Sequence, residues 1–356
     1  MKLKIAFGSL LTVCVLFLVA SCERNGGVFE DKLDVLGTFA QISIVGPSPE
    51  QAKEAALTVE KELQALDVIG YTFEEEGELQ QLNKALAEGR SMTVSDGLLE
   101  VIREAGKLSS ASNGLFNPAA GELTALWEFE CDQEECDESP YPDEVQRLID
   151  EQVNKIISRQ PSMNDLIVKG NEIGSRNPLV KLEFGGMIRG LALNKGIERL
   201  EKTGVSNAMI DIGGSVRTIG TRGDHDWWIG IPDASGKHSL GSIENIDDLS
   251  VVSVRSFDKS LGGHGRPVYR HVVDPRTGIP VTAIQLVVVM HKDAMIANAA
   301  AATILIAGIK DWKTVADGMD AHKILLITKD GTIYTSPAME HIIHWKQGIE
   351  HQHLVP

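Results

Sequence analysis

Between Arg270 and Pro280 the chain sets an imidazole (His271), a carboxylate (Asp274) and a guanidinium (Arg276) within a few residues of one another. An imidazole titrates near neutral pH and can take a proton from a hydroxyl; a carboxylate can orient it, and a guanidinium can meet phosphate. Pro275-Arg276-Thr277-Gly278 is also a turn signal, so a plain hairpin beside a surface histidine is the competing reading of this segment taken alone. Asp274 then orients either the ring or the turn, and Arg276 either meets phosphate or decorates the turn.

Further stretches extend the pattern. Leu36-Gly37-Thr38 resembles an M-G-T motif, and Gly77-Glu78-Leu79-Gln80-Gln81-Leu82-Asn83 resembles S-E-L-x-x-L-N. Gly114-Leu115-Phe116-Asn117-Pro118, followed by Trp127, is similar to G-x-F-D-P. The run from Phe184 through Gly185, Gly186 and Arg189 to Asn194 resembles L-G-A-I-A-K-G-Y-A-V-D, and Asp211-Ile212-Gly213-Gly214-Ser215-Val216 resembles N-x-G-G-N/D-I. With the H-x-x-D-P-x-T-G pattern of His271 to Gly278, these motifs stand in the order of the ApbE family of FAD:protein FMN transferases and cover about residues 33 to 335.

The resemblance implies cleavage of the FAD pyrophosphate, release of AMP and transfer of FMN to a Ser or Thr hydroxyl of an acceptor flavoprotein in the membrane. It implies His271 as general base, with Asp274 beside it. It places flavin-nucleotide contacts at Glu78, Asn83, Gly185, Gly186 and Arg189, then at Gly213, Gly214, Arg255, Phe257, Arg276 and Thr277. It also implies Mg2+, held by a backbone carbonyl, an aspartate and a threonine four residues later. Those positions fall on Gly186, Asn298 and Ala302. Hard Mg2+ favours anionic oxygen, so the two side-chain substitutions should weaken binding. Thr303 is one residue off, turned about 100° away on a helix. Arg189 replaces a family lysine, Asn194 an aspartate, and Ser253-Val254-Arg255 a T-S-G. Two readings stay open: an FMN transferase, or a catalytically degenerate, non-enzymatic FAD/FMN-binding lipoprotein in which Arg189 and Arg255 replace the metal as counter-charges. A structural lipoprotein without flavin is a third.

The N-terminus bears on where such chemistry would happen. Lys2 and Lys4, an apolar run from Ile5 to Leu18 and the Val19-Ala20-Ser21-Cys22 end read as a lipoprotein signal peptide over residues 1–21. Cys22 is then the acylated residue, 22–32 a tether, and 33–356 one domain on the periplasmic side of a membrane, anchored through lipid. A formal net charge of −16 argues against nucleic acid as a partner. Cys131 and Cys136 are spaced for a disulfide in an oxidising compartment.

The elements that must hold these groups follow from periodicity. Alternation at Ala40, Ile42 and Ile44 predicts a strand, and Ser48-Pro49-Glu50-Gln51 predicts a capped helix start. Helices are expected from Ser95 and after Pro142, then a strand over 179–184, a glycine turn, a helix over 188–202 and a strand over 208–212. Further strands are expected over 227–231, 250–254, 268–273 and 284–291, a buried helix over 294–309, and a final hairpin over 323–335. Strands and helices mix without strict alternation, so the fold class is α+β, with largely antiparallel sheets and packed helices.

Overall fold

Nine strands, laid side by side in the order in which the chain makes them, form the central sheet. They are β1 (Val28–Val35), β2 (Thr38–Val45), β3 (Ala208–Ile212), β4 (Ser215–Ile219), β5 (Ser250–Arg255), β6 (Ile284–His291), β7 (Lys323–Thr328), β8 (Ile333–Thr335) and β9 (Gln352–His353). All neighbours pair antiparallel except β8 with β9. The structure is a computed structural model that describes residues 27–70, 77–127, 129–130, 143–245, 248–261 and 267–353. Side chains are described throughout these except at 129–130, 143–146, 245, 258–261, 267–271 and 353. The signal segment, Cys22, Cys131 and Cys136 lie outside the described residues.

Sheet position explains the sequence pattern. Successive side chains of a strand point to opposite faces, so a strand covered on both sides reads as a continuous apolar run. In β6, Val287 and Val289 face a core shared with helices, while Leu286, Val288 and Met290 face a second core on the other side. The helical core is built on α1 (Pro49–Gly70), α2 (Glu78–Ala87) and α3 (Asp96–Ala111), joined by later helices. A lobe of α4 (Gly121–Leu126) and α5 (Asp143–Arg159) has its own small core around Leu123, Ile149 and Val153. Two central helices, α6 (Gly185–Lys202) and α7 (Ala294–Gly318), pack on each other and on the sheet. The far face is covered by a three-stranded sheet of 227–232, 239–245 and 343–345. By length and composition α7 is apolar enough to cross a bilayer, yet it is a core helix, packed against β5, β6 and α6.

The expected starts of α1 and α3 are present. Gln51 N–H donates to Ser48 Oγ at 3.3 Å while Ser48 N–H donates to Gln51 Oε1 at 3.2 Å. Leu98 N–H donates to Ser95 Oγ at 3.2 Å. Four expectations change. Residues 28–32, read as tether, are the first part of β1, which pairs with β2 along its whole length. Residues 179–184 are not a strand: Lys181 makes one isolated bridge to Ala120, and the segment is otherwise irregular. There is no glycine turn before α6, because Gly185 and Gly186 are themselves its first helical residues. The buried helix continues beyond residue 309 to Gly318, broken at Gly308, whose φ of 71° and ψ of −179° only glycine adopts easily.

Asn194, one of the departures from the family pattern, belongs to the seam between helices and sheet. Its Oδ1 accepts from Arg217 Nη1 at 2.8 Å and from Ala294 N–H at 3.0 Å, and its Nδ2 donates to Asp293 at 2.7 Å. Asp293 also caps α7, accepting from Met295 N–H at 2.8 Å and Ile296 N–H at 3.2 Å. Burial pushes the Arg217 guanidinium below its usual range, and Asp293 is the first charge that offsets it. Asp293→Ala is therefore expected to cost roughly 3 kcal/mol, part lost cap and part uncompensated cation. Asp293→Asn, which keeps an acceptor, should recover part of it. Urea denaturation of both variants checks this; a loss below about 0.5 kcal/mol for the alanine would contradict the network.

Candidate active site

The cleft is built first by the segment entering α6. Asn83 is buried and takes both backbone groups of Leu182, its Nδ2 donating to the carbonyl at 3.0 Å and its Oδ1 accepting from the N–H at 2.7 Å. On the other side, Glu183 N–H donates to Pro118 O at 2.9 Å and Gly121 N–H donates to Lys181 O at 2.9 Å. Held on both sides, the segment delivers Glu183, Gly185 and Gly186 to the cleft wall. The Glu183 carboxylate accepts from Gly185 N–H at 2.5 Å, placing negative charge at the positive end of the α6 dipole.

A second wall comes from α7, where Asn298, Ala302 and Ile306 line the cleft at helical spacing. α6 and α7 approach very closely here. A Cβ on Gly190 would lie 2.2 Å from Ala294 O and 2.6 Å from Met295 Cα. In this gap Gly190 N–H donates to Asn298 Oδ1 at 3.2 Å. The third wall is the end of β5, with Ser253, Val254 and Arg255, together with Val272, Val273 and Pro275. Arg255 is steered by its Nε, which donates to Ala234 O at 3.3 Å. Arg189 of α6 and Gly213 of the β3–β4 turn complete the lining used below. That turn runs through Gly213 and Gly214 at φ of 60° and 84°. Gly214 N–H donates to Asp211 Oδ1 at 2.8 Å, and burial raises the Asp211 carboxyl above its usual range.

Gly185, Gly186, Arg189, Gly213, Arg255, Asn298 and Ala302 are thus brought to one cleft. The other candidates do different work. Glu78 accepts from Ser95 N–H at 2.5 Å and Ser95 Oγ at 2.6 Å, tying α2 to the start of α3. Asn83 positions the α6 approach. Asp274 is buried and its carboxylate belongs to the turn: it accepts from Arg276 N–H at 2.8 Å, Nε at 3.0 Å and Nη2 at 2.8 Å. Arg276 therefore stabilises the turn, its pKa raised first by that Asp274 bond. Thr277 Oγ1 accepts from Ile279 N–H at 3.3 Å on the same exposed turn. Gly214, Phe257 and Thr277 do not line the cleft. The His271 side chain lies outside the described residues; its backbone pairs with Phe257, and the next residue, Val272, lines the cleft.

Sequence reading missed Glu183 and Ser253 as wall residues. Glu183 carried a faint signal, one of two charges, with Lys181, among the apolar residues from Leu179 to Phe184. Trp127, noted only for its spacing, donates from Nε1 to Gly278 O at 2.8 Å and pins the Asp274 turn against the α4 lobe. Asn117 caps its own turn, accepting from Ala119 N–H at 3.2 Å, and also lines the cleft.

The magnesium ion implied by the family resemblance does not fit these donors. Ala302 has no oxygen to offer beyond its helical carbonyl, and the one side-chain oxygen of Asn298 is engaged by Gly190 N–H. Thr303 is buried and turned inward, its Oγ1 donating to Ala299 O at 2.6 Å. A hard divalent cation needs several oxygen ligands and is favoured by anionic ones.

Residues 36–354 match the ApbE family. An FAD:protein FMN transferase of Rhodobacter capsulatus is 29% identical over 305 residues, which cover 86% of this chain and 56% of that protein. This chain thus spans just over half the length of that relative. An FAD:protein FMN transferase of Vibrio cholerae is 23% identical over 327 residues, 90% of this chain and 94% of that protein. Among solved structures, the ApbE protein of Thermotoga maritima superposes with a TM-score of 0.73 at 22% identity, covering 89% of this chain and all (100%) of that one. The flavin transferase ApbE of Vibrio cholerae gives 0.71 at 22% identity, covering 89% and 99%. The antiparallel sheet with packed helices is the fold these proteins share, and the chain belongs to the ApbE family.

Proposed function

We propose that this protein is an FAD:protein FMN transferase-like lipoprotein that binds FAD in the cleft and passes FMN to an acceptor flavoprotein. The Ser or Thr hydroxyl oxygen of the acceptor attacks the FMN phosphorus, the bond from that phosphorus to the AMP oxygen breaks, and AMP leaves. His271 takes the hydroxyl proton. The observation that carries the reading is the meeting of the α6 N-terminus and Arg189 in one cleft, since a helix N-terminus and a guanidinium group both favour phosphate. The relatives of the same name support it. A second reading, a non-enzymatic FAD/FMN-binding lipoprotein, is favoured by one feature: Ala302 leaves the wall without the hydroxyl that the family pattern supplies.

Incubating the purified full-length chain with FAD and a Ser/Thr acceptor peptide, with Mg2+ or with EDTA, separates the two. Release of AMP together with covalent flavin on the peptide supports the transferase. FAD that binds and stays intact supports the binder, and no FAD binding at micromolar concentration removes both readings.

The site of action belongs to the same proposal: a membrane-anchored domain facing the periplasm, held by lipid on Cys22. Its support is the basic, apolar and small-residue order of residues 2–22. Cys22→Ser is expected to shift the protein from the membrane to the soluble fraction on cell fractionation. Wild-type protein recovered in the cytoplasmic fraction would contradict the anchor.

A further inference from the structure

Asn298 is only 5% exposed, and its Oδ1 faces the Gly190 N–H. A backbone N–H can only donate, so the amide oxygen must point to it and the NH2 group must be the end left at the cleft wall. Among the described residues none makes a hydrogen bond to that NH2. An aspartate in the same pose would present a second anionic oxygen; asparagine presents N–H donors. The kind of ligand the position favours is thereby reversed, from cation to anion.

The neighbouring groups agree in sign. Arg189, on the α6 side of the cleft, brings a guanidinium group, whose fork of donors suits phosphate. Glu183 is the one carboxylate on the wall among the described residues, and it is engaged by Gly185 N–H.

Resting on the flavin-nucleotide reading, we propose that this wall is a metal-independent phosphate site. Asn298 Nδ2 and Arg189 hold the pyrophosphate oxygens directly, with no divalent cation between protein and nucleotide. Charge-assisted hydrogen bonds supply the neutralisation that a metal would otherwise provide.

Calorimetric titration of the full-length chain with FAD, and separately with inorganic pyrophosphate, in EDTA and in millimolar Mg2+ tests this. Both ligands are expected to bind in EDTA, with affinities changed less than about threefold by Mg2+. Asn298→Asp is expected to weaken both in EDTA by roughly tenfold, as a donor becomes a like charge, and to make binding Mg2+-dependent. Tightening of wild-type FAD binding by tenfold or more on adding Mg2+ would overturn the phosphate site while leaving the flavin reading intact. Pyrophosphate binding in EDTA without FAD binding would do the reverse, and binding of neither would remove both.

Discussion

Gly190→Ala is expected to cost about 3 kcal/mol of folding stability, at the upper end of overpacking effects. The added methyl would meet backbone, Ala294 O at 2.2 Å and Met295 Cα at 2.6 Å, and a backbone cannot swing aside as a side-chain tip can. The two central helices would have to separate, which also lengthens the Gly190–Asn298 hydrogen bond and moves one cleft wall against another. The control is Gly106→Ala in α3, where a Cβ meets nothing within 4 Å. There helix propensity alone acts, and a gain of about 0.5–1 kcal/mol is expected. Denaturant midpoints of the two variants should therefore move in opposite directions. Equal shifts would mean that the close approach of α6 and α7 is not what Gly190 serves.

The second large effect concerns transfer chemistry. Under the proposed function, His271→Ala is expected to slow flavin transfer to the acceptor by about 10²- to 10⁴-fold, the range for losing a positioned base, while FAD affinity stays within about threefold. The strand over 267–271 carries His271 towards Val272 on the cleft wall, and Val272 N–H donates to Ser256 O at 2.8 Å, fixing that approach. Both oxygens of the Asp274 carboxylate accept from Arg276, which holds the turn that follows this strand. Single-turnover transfer and FAD titration on the variant decide it. Equal losses in binding and transfer would assign His271 to nucleotide recognition instead of proton transfer.

What the sequence disclosed was what local chemistry determines. The Ser48–Gln51 box and the Ser95 cap need only neighbours in the chain, and β3 and β6 begin and end where alternation and apolar runs place them. Glycines at 185, 186 and 213 marked the cleft because close backbone approach leaves a trace in residue type. The roles of Asn83, Glu78 and Arg276 were not legible, since each depends on which partner the fold supplies. Asn83 reads equally well as a ligand contact or as a clamp on Leu182, 99 residues away. The segment 179–184 looked like a strand because apolar residues alternate with Lys181 and Glu183, but its hydrogen bonds go to Asn83 and the 118–121 loop and not to a sheet ladder.

β1 starting at Val28 has a consequence for which acceptors this protein could serve. With Cys22 as the proposed lipid anchor, six residue steps separate bilayer and sheet, an extended reach of roughly 20 Å. Had residues 22–32 all been tether, that reach would have been nearly twice as long. Under that proposal, so short a leash would make the membrane surface the volume searched and would raise the effective concentration of membrane-bound acceptors far above that of proteins free in solution. Acceptor choice would then be set as much by height above the lipid as by the sequence around the receiving hydroxyl.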